Sequence, residues 1–356
     1  MEYRTYHEQN DMENIRKLRE VLKTLPSFAK DYFRAIEPTT STRTRISYAY
    51  DIRLFFRFLI DENPHYKNYE TTDFKVSDLD KLEAVDLEEY QEYLKLYQRK
   101  DETFDTVDIT NGELGLKRKM SALRSFYGYF YRREMIESNP AMLVDMPKLH
   151  EKAIIRLDVD ETARLLDFIE HGGDDLTGQK KVYYEKTKER DLAIVTLLLG
   201  TGIRVSECVG LDINDVDFNN NGIKVVRKGG SEMIVYFGEE VAQALKNYMN
   251  GSRKRVIPQE GHEQALFYST QRRRIGVGAV ENLVKKYARY VTPLKKITPH
   301  KLRSTYGTTL YQETGDIYLV ADVLGHKDVN TTRKHYAAQD ENRRRMAAKA
   351  VKLRED

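Results

Sequence analysis

The chain has 356 residues, 40% of them apolar and 32% charged, which is enough to bury a sizeable core in roughly two or three domains and excludes a disordered composition. Its 59 Lys and Arg against 56 Asp and Glu leave a net charge of +3, so bulk charge argues for no partner and the placement of charge has to. The single cysteine, Cys208, excludes a disulfide framework and a cysteine-rich zinc site, and the longest apolar block, 192–199, is broken by Thr196 and falls far short of the ~18 residues a membrane span needs.

Residues 1–20 contain no apolar stretch of the kind a secretory leader requires, and the cytoplasm is the expected compartment. The first half of the chain reads as helical. Between Thr44 and Ile60, Ile46, Tyr50, Leu54, Phe55, Phe58 and Leu59 recur near helical spacing, with Arg45, Asp51, Arg53 and Arg57 expected on the polar side and Ser41 or Thr42 as N-cap. A second helix is predicted over Leu79–Tyr97 and a third over Gly115–Arg133. Glu137-Ser138-Asn139-Pro140 is a helix stop, and Met146-Pro147-Lys148 opens an exposed connector.

Beyond the connector, a helix is expected from Glu161 to Glu170, ended by His171-Gly172-Gly173. The polar stretch that follows, up to Lys188, reads as a surface insertion. A buried helix over Arg190–Leu199 stops at Gly200-Thr201-Gly202. Ile223–Val226 and Met233–Phe237 are predicted strands flanking Arg227-Lys228-Gly229-Gly230 in a hairpin. Helices are expected over Glu239–Asn250, Val277–Tyr290, Pro299–Glu313, Ile317–Leu324, Thr331–Ala337 and Asn342–Leu353. The fold class is therefore mainly α with a small β-sheet. Its boundaries read 1–146 for a helical domain, 147–155 for a linker, 156–340 for an α+β domain and 341–356 for a terminal helix.

Four separated pieces carry chemistry: Thr201-Gly202-Ile203-Arg204-Val205-Ser206-Glu207, Lys228 at the hairpin, His300-Lys301-Leu302-Arg303, and Leu324-Gly325-His326 with Tyr336 ten positions later. Each residue alone has a bland reading. Arg204 would more often be a surface ion-pair arginine, Lys228 a solvated turn lysine, His326 part of a helix C-terminus and Tyr336 one packed ring among 24 tyrosines. In this order and spacing the set resembles the tyrosine recombinases of the phage-integrase type, Xer-like, over roughly residues 153–340. The helical first segment is similar to that family's SAM-like core-binding domain.

The chemistry suits a DNA phosphodiester, which is anionic and has a poor alkoxide leaving group. Cutting it takes charge neutralisation, a proton donor and a placed nucleophile. Arg204 and Arg303 offer planar, permanently charged forks for the phosphate oxygens. His300, three residues before Arg303 on one helix face, can accept or return a proton. Lys228 can protonate the leaving 5′ oxygen, and the Tyr336 phenol can form an ester that conserves the bond energy for rejoining. His326 would hydrogen-bond the same phosphate, and Glu207 would brace the fold or His300. No step calls for a metal or nucleotide cofactor. Two departures stand out. The hairpin reads Arg-Lys-Gly-Gly where the commoner form is Gly-Lys-Gly, which leaves Lys224 open as the acid. The His326-to-Tyr336 interval of ten is one longer than in many Xer-type members.

The resemblance implies a site-specific recombinase that works as a homotetramer on double-stranded DNA core sites through a 3′-phosphotyrosyl intermediate. Chromosome-dimer resolution is the expected role, in the cytoplasm at the nucleoid and without a membrane. A partner recombinase or accessory protein is a further candidate partner, and a mobile-element integrase-excisionase and a catalytically dead DNA-binding regulator are the alternative roles. Candidate DNA contacts are Arg43, Arg45, Lys117, Arg118, Lys119 and Arg124 in the first segment and Arg272, Arg273 and Arg274 in the second, with the two segments clamping the duplex. The terminal helix, with Arg343–Arg345 on one side and Met346, Ala347, Ala350, Val351 and Leu353 on the other, is expected to dock on a neighbouring protomer. Cys208 reads as a small buried hydrophobe.

Overall fold

The computed structural model describes residues 5–100, 106–150, 154–174, 176–227, 230–326 and 328–332, and the chain divides into two compact units, Met1–Lys152 and Ala153–Asp356. The first unit opens with two helices that the apolar periodicity does not announce, α1 (Tyr6–Lys23) and α2 (Ala29–Ala35). Only Leu18 and Val21 of α1 are buried, too few to make a stripe, and its start is set instead by a capping box in which Thr5 and Glu8 each accept the other's backbone N–H. Helix α3 (Thr42–Glu62) begins at Ser41, whose hydroxyl accepts from the Thr44 amide.

The helix predicted over Leu79–Tyr97 is three elements. A 3₁₀ turn covers Val76–Lys81, α4 covers Ala84–Tyr93, and β1 (Leu96–Lys100) pairs antiparallel with β2 (Thr106–Thr110). The Asp86 carboxylate takes the Glu83 N–H at 2.8 Å and starts α4 afresh, while Asn111 Nδ2 donates to the Leu94 carbonyl at 2.7 Å and ends it. Helix α5 (Glu113–Arg132) then returns across α3.

The unit's core is aromatic. Tyr32, Phe55, Phe56, Tyr90, Phe126, Tyr127 and Phe130, drawn from α2 to α5, are all fully buried. They meet largely edge to face, as in Tyr32–Phe126 at 5.2 Å and Phe126–Phe130 at 5.0 Å, and such pairs add about 0.5–1.5 kcal/mol each beyond area burial.

Two charges expected on the polar side of α3 point inward. Arg45 is buried and pairs with Glu37 at 3.1 Å, and Asp51 is 4% exposed and bound to Arg118 of α5. Burial outweighs the Arg118 and Lys119 charges and pushes the Asp51 carboxyl up to about 6. Between about pH 4 and pH 6 the folded unit keeps a proton that the unfolded chain releases, so this group's contribution falls as pH rises through that window. The stability of Asp51→Asn relative to the unmutated chain should therefore rise by about 2–3 kcal/mol from pH 4 to pH 7. Denaturant melts of both proteins at the two pH values check this, and a pH-independent difference would contradict it.

In the second unit, α6 (Val159–His171) starts at Asp158 through a reciprocal bond with Glu161. The polar stretch expected as an insertion is the first half of a long helix, α7 (Gly178–Thr201). Most of its polar residues face solvent while Tyr184 and Thr187 turn in, and the Tyr184 hydroxyl donates to the Ile169 and Glu170 carbonyls that end α6. The second half of α7 is buried on every side through Ala193, Ile194, Val195, Leu197 and Leu198, and it packs on α6, α9 (Glu239–Asn250) and α11 (Pro299–Thr314).

Between α7 and α9 lie the short α8 (Val205–Gly210) and a sheet of order β3 (Val216–Asp217), β4 (Gly222–Val226), β5 (Glu232–Tyr236), antiparallel throughout. Helices α10 (Val277–Val291), α12 (Ile317–Leu324) and α13 (Val329–Thr332) complete the described residues. The mainly helical architecture read from sequence is the one observed, with two small sheets in place of one among the described residues. No helix among the described residues is long and apolar enough to cross a membrane.

Candidate active site

The C-terminus of α12 gathers side chains from across the second unit. A helix end leaves carbonyls without intrahelical partners and carries partial negative charge. Here those carbonyls are taken by arginines. Arg303, on α11, donates from Nη2 to the Leu324 carbonyl and from Nη1 to the Gly202 carbonyl at 2.5 Å. Arg204, at the start of α8, donates from Nη2 to the Gly325 carbonyl at 3.3 Å. Arg227, at the end of β4, donates to the Val323 carbonyl at 2.8 Å and the Leu324 carbonyl at 3.0 Å.

Glu207 offsets two of these three like charges, Arg204 and Arg227. Its carboxylate, 3% exposed, lies 2.8 Å from Arg204 Nη1 and 3.5 Å from Arg227 Nη1, and it also accepts the Arg204 backbone N–H at 2.8 Å. Burial lowers the Arg227 pKa, Glu207 opposes that, and Arg204 adds to it.

Two glycines make the approach possible. Gly202 (φ 63°) ends α7 in the left-handed region, and a Cβ there would stand 2.4 Å from the Tyr306 ring. Gly325 (φ 61°) ends α12 likewise, and a Cβ would press 3.0 Å from the Arg227 guanidinium carbon. The turn at Gly325 delivers His326, whose Nδ1 lies 2.7 Å from the hydroxyl of the buried Thr332 in α13. His300 is exposed in the first turn of α11, one turn before the buried Arg303.

The structure thus joins Arg204, Glu207, Arg303 and the Gly325-His326 turn in one place. Lys228 and Tyr336 lie outside the described residues, as do Arg343–Arg345 and the expected terminal helix. Lys224, left open as an alternative acid, projects from the exposed face of β4 toward Asp215 and Glu232, 3.7 and 3.6 Å away. Sequence reading passed over Arg227. The signal was there in the hairpin's departure, an arginine standing where glycine is commoner.

The candidate DNA contacts divide. Arg43, Arg118, Arg272 and Arg273 are exposed, and Lys117 is partly so. Arg45 and Lys119 are buried, the latter with Nζ 2.7 Å from Asn111 Oδ1. Arg124 donates to the carbonyls of Ala141 and Val144, and Arg274 to those of Val209 and Leu211 while pairing with Asp212. These four are tied into the protein by hydrogen bonds or burial, and residue type alone could not separate them from their exposed neighbours. Cys208 is fully buried, its thiol pushed up to about 12 by burial and then Glu207, which suits a core residue and no nucleophile. No three His, Cys, Asp or Glu side chains among the described residues are grouped to hold a metal.

The sequence profile of the phage integrase family matches residues 156–343. A tyrosine recombinase XerC from Caldanaerobacter subterraneus subsp. tengcongensis is 33% identical over 327 residues, covering 90% of this chain and 84% of that protein. A tyrosine recombinase XerS from Streptococcus thermophilus is 29% identical over 343 residues, covering 89% and 93%. The fold is similar to the XerH site-specific recombinase in a post-cleavage complex with a palindromic difH substrate, with a TM-score of 0.63 at 17% identity, covering 98% of this chain and 91% of that one.

Proposed function

The chain belongs to the phage integrase family, and from that premise we propose that it is an Xer-like tyrosine site-specific DNA recombinase whose catalytic centre forms around the C-terminus of α12. The observation that carries this is the convergence of Arg204 and Arg303 on the carbonyls of Leu324 and Gly325, beside His326, from three stretches of sequence far apart. Two guanidinium groups fixed by carbonyls present a rigid cationic surface, which suits a trigonal-bipyramidal phosphorane more than a mobile ground state.

In this reading the two arginines and His326 bind the non-bridging oxygens of the scissile phosphate. The Tyr336 oxygen attacks phosphorus as His300 accepts the phenolic proton. The bond from phosphorus to the 5′ oxygen breaks, and Lys228 donates a proton to that oxygen. The products are a 3′-phosphotyrosyl ester and a 5′ hydroxyl, and the reverse sequence on a new partner strand rejoins the DNA. The partner is a double-stranded core site, bound in part through the phosphate contacts that the exposed Arg43, Arg272 and Arg273 and the partly exposed Lys117 can supply. A homotetramer on two duplexes accounts for paired exchange, with the terminal helix docking on a neighbouring protomer. The role in this reading is resolution of chromosome dimers at the nucleoid, in the cytoplasm.

The test is covalent trapping. A core duplex nicked close to the cleavage position should give a protein–DNA adduct on a denaturing gel, with the DNA on the peptide containing Tyr336. A regulator with a dead centre would give none. Sequencing the DNA trapped in cells assigns the role. One chromosomal position supports dimer resolution, and sites flanking a mobile element would replace that reading with integration and excision.

A further inference from the structure

Arg227 has no part in the reaction just described, yet its guanidinium lies in the middle of the groups that do. Its side chain is 8% exposed, with Nη1 on the Leu324 carbonyl and near Glu207, and Nη2 on the Val323 carbonyl. The sulfur of Met233, from β5, lies 3.4 Å from Nη2. Its Nε is buried without a hydrogen-bond partner among the described residues. Its backbone N–H donates to the Ser231 carbonyl at 2.8 Å, and its own carbonyl accepts from the Gly230 N–H at 3.0 Å. One residue therefore joins the root of the β4–β5 hairpin to the end of α12. It does so against the two peptide units that lead into Gly325 and His326.

We propose, building on the recombinase reading above, that Arg227 is a positioning residue. Its guanidinium clamps the end of α12 to the sheet and thereby holds the Gly325 turn, Arg204, Arg303 and His326 in the arrangement that grips the scissile phosphate. Buried, with both Nη atoms on carbonyls, it acts through those groups and not on the DNA. Three contacts link it to them. It shares the Leu324 carbonyl with Arg303, it shares the Glu207 carboxylate with Arg204, and it packs against Gly325 where any Cβ would meet it. A glycine at the same hairpin position offers none of these contacts, so this chain has built into its hairpin a support that the commoner motif lacks.

The role predicts a chemical signature. If Arg227 serves the grip on a charged phosphate, its loss should matter little when that charge is absent. If it served leaving-group protonation through the adjacent Lys228, its loss should instead be relieved by a leaving group that needs no acid. Three nicked core duplexes separate these: the ordinary phosphodiester, a neutral methylphosphonate at the scissile position, and a 5′-bridging sulfur that departs as a thiolate.

Arg227→Met should slow cleavage of the phosphodiester about 100-fold at saturating DNA, keep core-duplex affinity within about threefold, narrow the rate gap to about threefold on the methylphosphonate, and stay slow on the bridging sulfur. Arg227→Lys, which retains one donor for the carbonyls, should recover part of the rate. It also carries the same comparison if the methionine variant melts too low to assay. A gap that persists on the methylphosphonate, one that closes on the sulfur, or no gap at all would overturn the assignment. A wild-type chain that forms no adduct on the phosphodiester takes down the recombinase reading itself, and the wild-type lane shows which of the two has failed.

Discussion

Arg303→Lys is expected to slow covalent-complex formation by on the order of 1,000-fold while core-duplex affinity stays within about threefold. Arg303 is 3% exposed and reaches the Gly202 and Leu324 carbonyls with its two Nη atoms, so its plane is set before any DNA arrives. Lysine keeps the charge but loses the fork, and one ammonium cannot hold both carbonyls and face two phosphate oxygens. Charge that develops on the phosphorane then meets a mobile group in place of a fixed one, and the loss falls on the transition state. Affinity is spread over many backbone contacts, so it should barely move. Burst kinetics on a nicked duplex, read beside a binding titration, check the split. Equal losses in affinity and rate would mean that Arg303 grips the ground state as firmly as the transition state.

Glu207→Gln should cost about 3 kcal/mol of stability in the catalytic unit, or roughly 6–12 °C in melting temperature. The carboxylate is 3% exposed and lies between Arg204 and Arg227, of which Arg227 is itself buried. Glutamine preserves the shape and one acceptor oxygen but leaves two guanidinium groups facing each other without the intervening charge. Arg204 is 34% exposed, so water screens part of that repulsion, and the figure sits at the low end for a broken buried pair. A double-mutant cycle makes the argument specific. Arg227→Met together with Glu207→Gln should cost clearly less than the sum of the two single changes, because removing one cation relieves what the missing carboxylate exposed. Strict additivity would show that Glu207 works only as the cap of α8.

Helices with strong punctuation were legible from the sequence. Ser41 opens α3, Gly202 closes α7, and α12 has its predicted ends, because caps and left-handed glycines are decided within a few residues. The first two helices and the β1–β2 hairpin were not legible. Helix α1 buries too little of itself to leave a pattern, and the hairpin depends on Asn111 reaching back to the Leu94 carbonyl from seventeen residues away. Fate by position along a periodic helix also misled. Asp51 and Arg45 were placed on the wet side of α3, and each is buried because a partner on another element, Arg118 or Glu37, supplies the opposite charge.

The order and spacing of two arginines, two histidines, a hairpin lysine and a late tyrosine carried the resemblance to the tyrosine recombinases, and these are residue types that suit a phosphodiester. The support beneath them was decided in three dimensions. The hairpin's departure marks Arg227 as unusual, but nothing local to it says whether its side chain is solvated or buried. The difference lies in the Val323 and Leu324 carbonyls, about a hundred residues downstream, which a helix end leaves unpaired and which only the folded chain brings within reach.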